Sequence, residues 1–162
     1  MTRDEVLEQL TKRRAEFDAL VEAVPPDAID RPIPGGSHSP KQIVAHVSAY
    51  EHLIVERLRA AEIGQSTNFD RDQHGFEAFN EQVWTASASA DPSVVLAQSA
   101  RDFLVMLEEI ALLPDAEFGA LSKVAEAIDP GWLQGRPLWE AIGEDTFEHY
   151  PMHFAQLEAA AR

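Results

Sequence analysis

The sequence predicts an all-α protein built as a four-helix bundle, and three observations carry that expectation. Four long runs of apolar residues recur at helical spacing. Proline, glycine or a capping side chain punctuates those runs. The alternation of apolar and polar residues that marks a half-buried strand is nowhere sustained. With 162 residues, 45% of them apolar, the chain is expected to form one domain over residues 1–162, burying roughly 70% of its unfolded surface.

The first helix is expected over about residues 3–24. Thr2 and Glu5 make a capping-box pair, and Val6, Leu7, Leu10, Phe17, Leu20, Val21 and Val24 follow at helical spacing until Pro25-Pro26. The stretch PPDAIDRPIPGGSH reads as a loop. The second helix opens on Ser39 as N-cap, Pro40 in the first turn and Gln42 reaching back, and should run to Ile63 with Gly64 as its cap. Its apolar stripe is Ile43, Val47, Tyr50, Ile54 and Leu58, flanked by Val44, His46 and Leu53, which puts His46 at the edge of the buried face.

Residues 65–90 are polar, but Phe76, Phe79 and Val83 recur at helical spacing and predict an extra short helix inside this long connection. Asp91-Pro92 starts the third long helix, which Val94, Val95, Leu96, Phe103, Leu104, Met106, Leu107 and Ile110 carry to about Leu113. Residues 114–135 suggest one helical turn around Ala120–Ala127 and then a loop at Asp129–Leu133. The last helix is expected from Pro137 to the C-terminus, with Leu138, Ile142, Thr146, His149, His153 and Leu157 on one face. Pro151 lacks a backbone donor and clashes with the carbonyl of Phe147, which predicts a local kink able to re-aim His153.

Composition excludes several function classes. No cysteine is present, so disulfides, thiolate metal ligands and a cysteine nucleophile are ruled out. Against 28 acidic side chains stand 13 basic ones, a formal net charge of -15; the averaged field repels phosphate backbones and anionic membranes, so neither is expected as a partner. The segment MTRDEVLEQLTKRRAEF has no apolar core of a signal peptide, and the expected location is cytoplasmic.

Histidine carries the legible chemistry. His149 and His153, four residues apart in EHYPMH, project from one helix face a turn apart, as two ligands of one ion require. Alone, the pair reads equally well as two interface histidines satisfied by hydrogen bonds, and it lacks the glutamate of the zinc-protease H-E-x-x-H pattern. His46 also faces the core from a facing helix, and bundles build metal sites from such inward residues. Three imidazoles would make a site for a divalent cation.

The segments SPKQIVAHVSAYE and TFEHYPMHFAQLE resemble the DinB/YfiT-like superfamily, which is associated with metalloenzymes. Within it, PLWEAIGEDTFEHYPMH is most similar to the ClbS/DfsB-like group. The resemblance runs through nearly the whole chain in helix order and implies a four-helix bundle with metal ligands at His46, His149 and His153, and it makes a homodimer of this chain plausible. It also implies thiol transfer or isomerisation with low-molecular-weight thiols in some members, and hydrolytic detoxification of an electrophile in the ClbS group. Many relatives carry a tryptophan just before the cap of the second helix, where this chain has His38 in GGSHSP. His38 is expected to be a solvated loop residue or, alternatively, a fourth nitrogen near the site.

Among the remaining candidates, Tyr50 lies one turn after His46 and is the single catalytic candidate, although a core tyrosine with a satisfied hydroxyl fits the same position. Glu51 and Glu148 are expected on solvated shoulders, and His52 and His74 at the surface. Trp84, Trp132 and Trp139 read as packing residues, with Trp132 the one placed to roof a pocket. The functional expectation is a metal-dependent hydrolase or thiol transferase. Zinc or nickel would activate a water, or a thiol supplied by the substrate, for attack on a small electrophilic molecule. The alternative is a non-catalytic bundle that sequesters such a molecule.

Overall fold

Capping chemistry sets where the long helices begin. Thr2 and Glu5 exchange bonds at the start of α1 (Arg3–Glu22), and Ser39 and Gln42 do the same for α2 (Pro40–Glu62). Gly64, with φ +68°, takes the left-handed turn one residue beyond the α2 cap at Ile63. The computed structural model describes residues 1–72, 75–119, 123–128 and 132–162. His74, expected at the surface, lies outside the described residues, as do Ala120–Ser122 and Asp129–Gly131 of the ambiguous stretch.

The connection after α2 holds two helices where one short helix was expected, α3 (Asn68–Asp72) and α4 (Gly75–Ala88). The third long helix is α5 (Pro92–Leu112), started by Asp91 accepting from the Ser93 N–H. A 3-10 turn at Asp115–Phe118 and α6 (Lys123–Ile128) follow. The expected last helix is instead broken into α7 (Leu138–Asp145), a 3-10 turn at Tyr150–His153 and α8 (Phe154–Ala160). No strand occurs among the described residues, and no described helix is long and apolar enough to cross a membrane.

α2 is the central element, packed against α5, α4, α6 and α7, while α1 packs against α5, α7 and α8. Two apolar clusters fill the bundle. One gathers Leu10, Ile54, Leu58, Met106, Ile110 and Ile142; the other gathers Phe17, Val21, Ile43, Val47, Tyr150 and Leu157. Between them along the helices lies a layer of buried polar side chains: Arg14 on α1, Ser48 and Glu51 on α2, Ser99 and Asp102 on α5. Buried groups of this kind must be paired. Arg14 donates to Glu51 Oε1 at 2.6 Å, to Ser99 Oγ at 2.8 Å and to Asp18 Oδ1 at 2.8 Å. Ser48 donates to Asp102 at 2.6 Å. The expectation that Glu51 sits on a solvated shoulder is corrected: it is fully buried, because helices cover α2 on more sides than its apolar stripe announces.

Candidate metal centre

Near its start α2 carries His46, 5% exposed, and the capping geometry of Ser39 fixes where that residue falls. Gln42, whose Oε1 accepts the Ser39 N–H at 2.9 Å, donates through Nε2 to the Trp84 carbonyl at 3.0 Å. The α2 cap thereby also anchors α4, and Trp84 stacks on the His46 ring at 4.4 Å between centroids.

The other two histidines come from the break in the last helix. α7 ends at Asp145, and Thr146 leaves helical geometry at φ -135°, ψ -97°. At Gly143 a Cβ would meet the Phe147 ring at 2.5 Å, so the missing side chain is what lets that ring fold back across α7. Residues 146–149 form a turn in which Glu148 donates to the Gly143 carbonyl at 2.9 Å and His149 to the Thr146 carbonyl at 2.8 Å. Pro151, with no N–H to give, lies in the following 3-10 turn. The Tyr150 hydroxyl donates to Glu51 Oε1 at 2.7 Å and ties this turn to α2. The expected kink is present and begins five residues before the proline that predicted it.

The three sequence-predicted histidines are brought together. Nε2 of His149 lies 3.1 Å from Nε2 of His46 and 3.0 Å from Nε2 of His153, and ligand atoms of all three fall within 4.8 Å of one another. The His46 ring plane stands at 82° to each of the other two. Burial, then the neighbouring histidines, push His46 down to about 3. Burial and His153 push His149 down to about 4, opposed by the Asp145 backbone carbonyl, which favours protonation without forming a well-shaped bond to Nδ1. His153 is lowered by burial, with Gln156 opposing. All three rings are therefore neutral at pH 7.

This donor set fits a divalent cation better than it fits a hydrogen-bonded cluster. A neutral imidazole nitrogen is either donor or acceptor, so His149 Nε2 has one proton or one lone pair to share with two nitrogens at hydrogen-bond distance. Three lone pairs converging on one cation satisfy both of these contacts. In a tetrahedral site with bonds of about 2.0–2.1 Å, neighbouring donors stand about 3.3–3.4 Å apart, within a few tenths of an ångström of the two distances here. His153 Nδ1 lies 2.9 Å from Gln156 Oε1, an acceptor that holds the proton on Nδ1 and leaves the Nε2 lone pair facing inward.

These histidines line a cavity of about 670 Å³ together with Tyr50, Trp132 and Asp145, a volume suited to a small molecule. Tyr50 presents its ring to His46 and His149 at 5.0 and 4.9 Å and donates its hydroxyl to Asn80 Oδ1 at 3.1 Å. Burial raises its pKa. Trp132 sits at the pocket as expected, 4% exposed, its indole donating to Asp145 Oδ2 at 2.9 Å. His38 is half-buried and stacks on Trp84 at 4.1 Å; it does not join the three converging nitrogens. His52 and Glu148 are exposed, as expected. Sequence reasoning missed the contact of Trp84 with His46 and the buried set Arg57, Asp70 and Asp145. No local pattern marks either, since both join residues from distant parts of the chain.

A family model described as the DinB superfamily matches residues 9–142, a span that includes His46 and ends short of His149 and His153. Among curated proteins, none matches the chain. A crystal structure of a Streptococcus pneumoniae protein from a structural genomics consortium superposes with a TM-score of 0.80 at 12% identity, over 97% of this chain and 88% of that one. At that identity the likeness speaks to the fold alone.

Proposed function

The chain belongs to the DinB superfamily, and from that premise we propose that it is a divalent-metal-dependent enzyme acting on a small electrophilic molecule. The observation that supports this reading best is the convergence of three neutral imidazole nitrogens on the wall of a 670 Å³ cavity. His46, His149 and His153 would hold the ion, zinc or nickel by ligand type. When bound, such an ion supplies a Lewis acid that makes a water or a thiol nucleophilic at neutral pH. With no cysteine in the chain, a thiol would arrive with the substrate.

The protein's own groups do the rest. Gln156 sets the tautomer of His153, and the Tyr50 ring braces two of the imidazoles. The Tyr50 phenol stays protonated, its pKa raised by burial, and offers a hydrogen bond that a substrate oxygen could take from Asn80. Tyr50 is thus the candidate catalytic residue. Tyr50, Phe76 and Trp132 line the cavity beside these groups with aromatic rings.

Elemental analysis of protein purified without an affinity tag tests the reading, with His46→Ala as comparison. Zinc or nickel near one equivalent per chain, and loss of it in the variant, is the expected result. A folded wild-type chain that takes up neither ion from a supplied excess would end the metal reading. Binding of electrophiles by the loaded protein without product release would assign sequestration in place of turnover.

A further inference from the structure

We infer that the acidic wall of this cavity, centred on Asp145, selects substrates that carry a protonated amine; the inference rests on the metal-site reading above and adds a substrate class to it. Asp145, the last residue of α7, is 6% exposed and lines the same cavity as the three histidines. Its Oδ2 accepts from Arg57 Nη1 at 3.0 Å and from Trp132 Nε1 at 2.9 Å. Its Oδ1 accepts no hydrogen bond from a described residue.

The charge balance at this wall is negative. Arg57, 1% exposed, is shared between two carboxylates: Asp145 on one side and Asp70, reached from Nη2 at 2.9 Å and from Nε at 3.2 Å, on the other. One guanidinium between two aspartates leaves one negative charge over. The remaining charged pair at the cavity cancels, since Arg136 meets Glu144 at 2.7 Å. The divalent ion of the metal-site reading would bring two positive charges to the histidines, so the negative charge counted here is local to the Asp145 side of the cavity. A net charge of -15 over the whole chain further disfavours anionic ligands and draws in cations. Tyr50, Phe76 and Trp132 line the same cavity as the carboxylate, and aromatic neighbours of this kind suit an ammonium group. The cavity thus offers the histidines to the reacting group and Asp145 to a cation.

The test uses the full chain loaded with cobalt(II), whose thiolate charge-transfer absorption reports ligand arrival at the ion. Three probes differ at the end remote from the thiol: cysteamine carries an ammonium, 1-propanethiol a methyl group and 3-mercaptopropionate a carboxylate. Each is titrated into wild type and Asp145→Asn, and the ratio of the two dissociation constants is read, so that each thiol's own acidity cancels. The asparagine oxygen can still accept from Arg57 and Trp132. We expect the substitution to weaken cysteamine about tenfold or more, to leave 1-propanethiol unchanged and to tighten 3-mercaptopropionate. Should the variant fail to fold, wild type alone decides: per thiolate, cysteamine must bind more tightly than N-acetylcysteamine, which has no charge. Equal ratios for the three probes, or equal binding of this last pair, overturn the inference and leave the metal reading intact. A chain that binds no cobalt overturns both, and one that binds it but shows no thiolate band with any probe overturns the inference alone.

Discussion

Replacing Glu51 by glutamine should change how stability depends on pH, by an amount that follows from the burial of this side chain. Glu51 is fully enclosed; one oxygen accepts from Arg14 and Tyr150, and Oε2 has no partner among the described residues. Burial outweighs the attraction of Arg14 and the two hydrogen bonds, and raises the carboxyl from an ordinary 4.5 to about 7. As pH rises from 4.5, the unfolded chain releases this proton while the folded chain keeps it until about pH 7, so stability falls across that window and levels off above it. Glutamine releases no proton. The stability of Glu51→Gln relative to wild type should therefore climb by about 2–3 kcal/mol between pH 5 and pH 8. Urea unfolding of both proteins with chelator present measures this, and the difference cancels every other titrating group, including Asp145, raised by burial to about 6, and the lowered histidines. A difference that stays constant across the range would refute the reasoning, because it would mean that Arg14 keeps Glu51 ionised throughout.

Two further predictions concern the walls of the site. Trp84, stacked on His46 at 4.4 Å, should report ion binding: nickel or cobalt is expected to quench tryptophan emission, and Trp84→Phe should lose the larger part of that quench while still binding the ion, an equal fractional quench in the variant counting against the stack as reporter. Gly143→Ala would push a Cβ to 2.5 Å from the Phe147 ring and should destabilise the chain by about 1–3 kcal/mol with weaker metal uptake, whereas an unchanged unfolding midpoint would show that the ring moves freely.

How much of this was legible in the sequence depended on how locally each feature is determined. The starts of α1, α2 and α5 could be read because Thr2 with Glu5, Ser39 with Gln42, and Asp91 with Pro92 act within one turn. His46 could be placed because it borders the apolar stripe of α2, and His149 with His153 because they stand four residues apart. Glu51 and Arg57 could not be placed by the same argument. A stripe assigns one buried face, whereas α2 is covered by helices on several sides, and its buried charges are paired by Arg14, Asp70 and Asp145 from remote positions. The break in the last helix was half legible. Pro151 announces a disturbance, but the turn starts at Thr146, where the Phe147 ring against Gly143 and the Tyr150 bond to Glu51 decide the path.

The same long-range contacts explain why the site exists where it does. On a continuous last helix His149 and His153 would follow one another at helical pitch, and no residue in that register would need to be held by α2. The break frees the turn from helical hydrogen bonding, and the buried pair Glu51 and Tyr150 pins it instead to the helix that carries His46. Three buried polar atoms, His46 Nδ1, His149 Nδ1 and Glu51 Oε2, have no partner among the described residues, and each such group costs about 1–3 kcal/mol. Leucine at the two histidine positions would remove their share of that cost and add apolar contacts. Histidines kept unsatisfied beside a cavity, where apolar side chains would be more stable, mark the place where the fold gives up stability for a function.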